Sequence, residues 1–282
     1  MNRRNGERGK CGAGMRARVY TYMAHYGEEP PVSGSHGSGT IFFSGCNMSC
    51  VYCQNYKFSQ AAMGRELSAQ ELADVMLNLQ DKGCHNINLV SPTPYVPQIL
   101  EALIPAIDRG LSVPIVYNTG GYDLVDVLSD LEGIVDIYLP DMRYADNEWA
   151  LKFSGIPDYV ENNRAVVREM IRQVGTRPVF SGDIMTKGLI VRLLMLPNGI
   201  SGTDLTLDFL ESQVGTDLYL SLMSQYYPAY RADGMPEVSR KIKKSEYDAV
   251  LRKMSECGFH NGWIQPFGEF ETRFAGENFE PV

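Results

Sequence analysis

The sequence predicts an α/β fold: a parallel sheet wrapped into a partial (β/α)6 barrel, covered outside by helices and preceded by an irregular N-terminal arm. Three observations carry this prediction. Short apolar runs alternate with amphipathic stretches of helical period along most of the 282 residues. Those runs are apolar at successive positions, as strands covered on both faces require. Six main β-then-α units follow one another, which suits a barrel or part of one. A doubly wound open sheet is the competing topology. In either case functional groups belong at the C-terminal ends of the strands.

The elements follow in order. Residues 1–39 are rich in Gly, Arg and Pro, show little periodicity, and form the arm. Residues 40–45 (TIFFSG) open the barrel domain, 40–267, as a buried strand. Residues 68–82 form a helix: Ser68 and Glu71 make a capping box, Leu72, Val75, Met76 and Leu79 fall on one stripe, and Gly83 stands at the stop. The strand at 86–90 leads to a helix at 97–109, and the strand at 113–117 to a helix at 124–131. The strand at 134–139 precedes helical segments at 147–153 and 159–174. The strand at 189–196 precedes a helix at 203–213. After the strand at 218–223, residues 226–236 read as an insertion loop. A helix at 245–257, with Ser245 and Asp248 as a second capping pair, precedes a short last strand at 263–265. The tail, 268–282, is polar and loose. The whole is TIM-like but short.

Composition narrows the function. The net charge is −8 and there is no long basic run, so no nucleic-acid partner is expected. The longest apolar runs, 134–139 and 189–196, are too short to span a bilayer, so no membrane partner is expected either. No secretory pattern opens the chain, and a cytoplasmic location is expected.

The six cysteines are Cys11, Cys46, Cys50, Cys53, Cys84 and Cys257. A disulfide framework would be odd in a chain of this length without an export signal. Three of the cysteines lie within eight residues, in Ser44-Gly45-Cys46-Asn47-Met48-Ser49-Cys50-Val51-Tyr52-Cys53-Gln54-Asn55. The spacing is C-x3-C-x2-C at the end of the first strand. Three thiolates on one loop can hold three irons of a cubane and leave the fourth iron without a protein ligand. Structural zinc wants four closed ligands; the nearest extra candidates, Cys84 and His85, lie across a full helix. Asn47, Ser49, Gln54 and Asn55 are too polar for a packed apolar core. Gly45 permits the tight turn off the strand. Residues 34–39 (GSHGSG) precede a strand instead of joining strand to helix, so they are no phosphate loop. Cys84 and Cys257 read as buried small hydrophobes.

C-x3-C-x2-C with an aromatic, Tyr52, just before the last cysteine is the signature of the radical S-adenosylmethionine superfamily. Residues 36–55 resemble more specifically the subgroup similar to pyruvate formate-lyase activating enzyme. The resemblance extends through Gly27-Glu28-Glu29-Pro30, Ser91-Pro92-Thr93-Pro94, Tyr117-Asn118-Thr119-Gly120-Gly121-Tyr122, Tyr138-Leu139-Pro140-Asp141 and residues 192–197. It implies a [4Fe–4S] cluster on Cys46, Cys50 and Cys53, which are then the catalytic centre. S-adenosylmethionine would chelate the open iron, and reduction would split its C5′–S bond to give methionine and a 5′-deoxyadenosyl radical that abstracts hydrogen from a substrate.

The same resemblance nominates residues for S-adenosylmethionine. Tyr52 would place its backbone near the adenine, and it also suits simple packing. Ser91 and Thr93 end the second strand where many relatives carry Gly-Gly-Glu; with no Glu here, carbonyls and the Thr93 hydroxyl would substitute, against the alternative of a Pro-rich turn. Asn118 ends the third strand and faces ribose or carboxylate, or serves as a turn residue. Asp141, followed by Arg143, ends the fourth, as a ligand contact or as a cap or ion pair. Arg192 is a charge inside an apolar strand and must be paired or face a cavity; it is either a carboxylate clamp for the methionyl group or a structural salt bridge. Gln225, Tyr226 and Tyr227 are pocket candidates. Members of the subgroup carry further cysteines upstream; Cys11 resembles the last of that set and receives no ligand role. The implied function is activation of a partner glycyl radical enzyme, with flavodoxin or ferredoxin as electron donor. The alternatives are a radical enzyme acting on a small molecule or peptide, and a non-catalytic iron–sulfur electron-transfer protein.

Overall fold

The computed structural model describes residues 2–268 and 276–282. The chain opens with β1 (Ala17–His25), α1 (Pro30–Ser33) and β2 (Ser38–Phe43). Beyond the cysteine loop come α2 (Tyr56–Ser59), β3 (Arg65–Leu67) and α3 (Ala69–Asp81). The repeating part runs through β4 (Ile87–Val90), α4 (Val96–Asp108), β5 (Ile115–Thr119), α5 (Val125–Ser129), β6 (Ile137–Pro140), α6 (Asn147–Ser154) and α7 (Tyr159–Val174). It continues with β7 (Val179–Ser181), β8 (Ile184–Leu194), α8 (Thr203–Gln213), β9 (Tyr219–Met223), α9 (Lys244–Glu256) and β10 (Gly262–Ile264).

The parallel strands stand in the order β10-β9-β8-β6-β5-β4-β2. The sheet does not close: β1 adds antiparallel to β2, β3 to β1, and the far edge is β10. This is the unclosed barrel that the sequence predicts, with all its strands present and the short last one included. Both faces are covered, which explains the unbroken apolar runs. Ile41, Leu89, Tyr117, Val191 and Leu222 point outward into one core with Leu72, Met76, Ile99, Val167 and Leu210 of the helices. Residues of the other parity, Val116, Ile137, Leu139 and Ile190, pack with Val32 and Met185. That second cluster fills the lower lumen, so the space left inside lies toward the strands' C-terminal ends.

The local signals act as read at α3. Ser68 Oγ accepts from the Glu71 N–H at 3.2 Å, and the Glu71 carboxylate accepts from the Ser68 N–H at 2.8 Å. At α9 the expected Ser245–Asp248 pair is incorrect. The helix starts one residue earlier, Glu246 accepts from the Lys243 N–H at 2.6 Å, and Asp248 pairs with Lys244. Glu246 and Asp248, two residues apart, compete for the same cap, and Glu246, three residues after the N-cap Lys243, takes it.

The segment expected to be irregular through residue 39 contains the nine-residue β1. β1 buries residues of both parities, Tyr20 as well as Val19 and Thr21, so it lacks the alternation that marks a half-buried strand. Of the tail, 269–275 lie outside the described residues. Phe279 packs on Phe42, with ring centroids 4.9 Å apart, and the Val282 N–H donates to the Tyr20 carbonyl at 2.8 Å. Residues 279–282 are thus docked on the outer strands and are not loose.

Candidate active site

The cysteine loop leaves β2 through a turn that only glycine fits. Gly45 has φ +88°, and a Cβ there would lie 2.3 Å from the Cys11 carbonyl oxygen. The Tyr95 hydroxyl donates to the Ser44 carbonyl at 2.7 Å, fixing the exit. The loop then lies across the end of α6, where the Ser49 and Val51 N–H groups donate to the Ser154 and Phe153 carbonyls at 2.9 and 2.8 Å. Those are carbonyls that a helix end leaves unpaired. Met48, Cys50 and Tyr52 are buried with Tyr144, Phe153, Tyr159 and Tyr226.

Each thiol has its own surroundings. Cys46 Sγ accepts from the Met48 N–H at 3.4 Å, and Cys53 Sγ is 3.1 Å from Ser59 Oγ. Cys50 Sγ lies 2.9 Å from Ser154 Oγ and 3.3 Å from Arg143 Nη1. Burial, and next the charge of Cys50, push the Cys46 thiol up to about 12 and the Cys53 thiol up to about 11. Such thiols stay protonated until metal displaces the proton.

The donor set fits a cluster better than a single ion. A tetrahedral zinc with bonds of about 2.3 Å needs sulfurs about 3.8 Å apart. Among the described residues, the one group of three or more metal-binding side chains with ligand atoms within 4.8 Å of one another is Asp208, Glu211 and Cys257. The three sulfurs are therefore spread more widely than one ion requires. The extra candidates Cys84 and His85 precede β4, at the opposite end of the barrel from the loop.

Beside the loop, at the strand ends, is a cavity of about 450 Å³. Tyr52, Ser91, Asn118, Asp141 and Arg192 line it together with Cys53. Thr93 does not. Its hydroxyl donates to Asp123 Oδ1 at 2.7 Å, joined there by hydroxyls of Tyr117 at 2.8 Å and Thr119 at 2.7 Å. The Thr93 hydroxyl, expected to face a ligand, donates in this structure to a buried carboxylate. Burial raises the Asp123 carboxyl above its ordinary range, and the three hydroxyls oppose that shift. Ser91 holds φ +58°, a left-handed conformation unusual for a non-glycine, with its N–H on the Asn118 carbonyl at 2.9 Å.

Arg192 is paired within the chain. Its Nε donates to Glu29 Oε1 at 2.8 Å and its Nη2 to Glu29 Oε2 at 2.7 Å; Nη2 also pairs with Glu28, and Nη1 donates to Asn118 Oδ1 at 3.1 Å. The fork is occupied by the chain's own carboxylates. Asn118 is held at both ends, since its Nδ2 donates to Glu28 Oε1 at 3.4 Å. Asp141 is likewise engaged, accepting from Arg143 Nε at 3.0 Å and Nη2 at 2.5 Å. Gln225 and Tyr226 reach the cavity wall.

Sequence reasoning gave no role to Glu28 and Glu29, which line the cavity from the segment after β1. The available signal was Arg192 itself, a buried cation that required a buried anion. Ser154 and Tyr144 were also missed, because nothing local marks a hydroxyl that turns toward a distant cysteine.

A family model described as the radical SAM superfamily matches residues 40–191, from β2 into β8. The chain belongs to the radical SAM superfamily. Its cofactors are accordingly a [4Fe–4S] cluster and S-adenosylmethionine. An uncharacterized protein of Methanocaldococcus jannaschii is 29% identical over 262 residues, 88% of this chain and 70% of that one. Among solved structures, a radical SAM methyltransferase from Sphaerobacter thermophilus is similar with a TM-score of 0.52 and 15% identity, over 80% of this chain and 65% of that one. Streptococcus suis SuiB bound to its precursor peptide SuiA gives a TM-score of 0.52 and 12% identity, over 78% of this chain and 46% of that one. The chain thus spans less than two thirds of these structural relatives, which share the fold. Among the described residues no helix is long and apolar enough to cross a membrane.

Proposed function

We propose that this radical S-adenosylmethionine enzyme activates a glycyl radical enzyme, in the manner of a pyruvate formate-lyase activating enzyme. The observation that carries the reading is the size and position of the cavity. At about 450 Å³ it sits low in the range of roughly 300–1,000 Å³ for small-molecule sites. S-adenosylmethionine, a ligand of drug-like size, takes up most of such a space. The hydrogen donor then has to reach in from outside, and a backbone glycine does so with no side chain in the way.

In this reading Cys46, Cys50 and Cys53 hold the cluster. When bound and reduced, the cluster supplies the electron that splits S-adenosylmethionine to methionine and a 5′-deoxyadenosyl radical. Tyr52, Ser91, Asn118 and Asp141 surround the cofactor where they line the cavity. Arg192 acts indirectly, by holding Asn118 in place. Residues beneath the site exclude water, as Leu139 and Ile190 fill the lumen. A flavodoxin or ferredoxin of the cytoplasm is the electron donor.

The test is isotopic. A candidate glycyl radical enzyme carrying deuterated glycine is mixed anaerobically with the reduced protein and S-adenosylmethionine. Deuterium in 5′-deoxyadenosine together with a glycyl radical signal supports the reading. Turnover on small metabolites or peptides, with no transfer from any such partner, replaces it with a radical enzyme of that other class.

A further inference from the structure

Cys50 is set apart from the other two cluster cysteines. It is the most buried of the three, and it alone has a guanidinium within hydrogen-bond reach. Arg143 Nη1 lies 3.3 Å from its sulfur. The rest of that guanidinium is fixed, with Nε and Nη2 both on Asp141 Oδ2. The Arg143 main-chain N–H donates to the Tyr159 hydroxyl at 3.1 Å, and that hydroxyl donates onward to the Gly120 carbonyl at 2.8 Å. The cation therefore cannot swing out to solvent without breaking its pair with Asp141, while the main-chain bond fixes where its backbone stands.

A second donor arrives from the other side. Ser154 Oγ is 2.9 Å from Cys50 Sγ, Tyr144 Oη is 2.8 Å from Ser154 Oγ, and Tyr52 Oη is 2.5 Å from Tyr144 Oη. A metal-bound thiolate carries no proton and can only accept. Ligation of Cys50 therefore fixes the direction of the chain: Ser154 donates to sulfur, Tyr144 to Ser154, and Tyr52 to Tyr144.

We propose that Arg143 and Ser154 are positioning residues that raise the reduction potential of the cluster through hydrogen bonds to the Cys50 sulfur. The reason is electrostatic. Reduction adds a negative charge shared with the thiolate sulfurs, and hydrogen bonds to sulfur together with a nearby cation favour that state. Asp141 offsets part of the Arg143 charge and, by holding Nε and Nη2, keeps Nη1 aimed at the sulfur. The inference rests on the superfamily's cluster and not on the proposed substrate, and its test needs no substrate.

The experiment is a redox titration of the reconstituted cluster by electron paramagnetic resonance, without S-adenosylmethionine, on parent, Arg143→Gln, Arg143→Lys and Ser154→Ala proteins. At the potential where the parent cluster is half reduced, the reduced-to-oxidised ratio falls about tenfold in Arg143→Gln, equivalent to about 59 mV for one electron. It falls about threefold in Ser154→Ala, and Arg143→Lys recovers most of the Arg143→Gln loss because the charge returns. Ser154→Ala removes a single oxygen and keeps the test available if Arg143→Gln fails to hold iron. Fully loaded clusters with the parent's reduced fraction, in Ser154→Ala and in whichever Arg143 variants load, overturn the proposal.

Discussion

Replacing Arg192 with methionine removes the guanidinium that pairs with both Glu28 and Glu29 inside the barrel. The Arg192 side chain is 10% exposed and the carboxylates 7% and 5%, so water replaces little of what is lost. Breaking a buried pair by deleting one partner costs roughly 3–5 kcal/mol, because the other charge is left uncompensated. For a chain of this size, with an unfolding entropy of about 0.6 kcal/mol/K, that corresponds to a fall in melting temperature of roughly 5–8 °C. The pH dependence supplies a second handle. In the parent, burial pushes the Glu28 carboxyl up, but the charges of Arg192 and His25 and hydrogen bonds from Arg192 and Asn88 outweigh it, and the group lies below its ordinary value of 4.5. Its contribution is therefore complete above pH 4.5 and is lost as pH falls through the lower folded value. In the variant the guanidinium is gone, burial dominates, and the carboxyl moves upward. Protonation then relieves the folded state, so the stability gap to the parent narrows as pH falls from 8 toward 5. Denaturant titrations of both proteins at several pH values in that range read this directly. A loss under about 1 kcal/mol, the size of an exposed salt bridge, or a gap that widens on acidification would refute the reasoning.

Other outcomes follow from the same contacts. Gly121 has φ +74°, and a Cβ there would lie 2.2 Å from both the Asp141 carbonyl oxygen and Asn163 Nδ2. Gly121→Ala should destabilise by roughly 2 kcal/mol or more, measured by denaturant unfolding, and should lower iron content after reconstitution. Ser68→Ala deletes half of the α3 capping box and should cost about 1 kcal/mol with cluster loading unchanged. Asp123→Ala strands the hydroxyls of Thr93, Tyr117 and Thr119 and should cost roughly 3 kcal/mol. It should also weaken S-adenosylmethionine binding in equilibrium dialysis by loosening the ends of β4 and β5.

The sequence made the repeating part of the fold legible because each unit carries its own local signal. The helices α7 and α8 fall on the read boundaries, 159–174 and 203–213. It hid β1, whose identity as a strand depends on two partners, β2 and β3, that local pattern does not reveal. The cluster cysteines were legible for the same reason as the helices: three ligands lie in one short loop. Arg192 was legible only by half. Its need for a partner follows from burial, yet its partner lies 163 residues earlier in the chain. The Thr93 partner was not legible, because its own segment does not show that Asp123 stands within reach. The general limit is sequence distance: groups that meet through the barrel interior leave no mark on either segment alone.

The central claim is that Cys46, Cys50 and Cys53 carry a cluster that cleaves S-adenosylmethionine. The most direct test is an anaerobic assay. Iron and sulfide are reconstituted, the protein is reduced with dithionite, S-adenosylmethionine is added, and 5′-deoxyadenosine is measured beside a Cys50→Ala control while the reduced cluster is followed by electron paramagnetic resonance. The account predicts that S-adenosylmethionine changes the spectrum of the parent cluster and yields 5′-deoxyadenosine, with neither effect in the control. A fully loaded, reduced cluster whose spectrum is indifferent to S-adenosylmethionine and which forms no 5′-deoxyadenosine would contradict it.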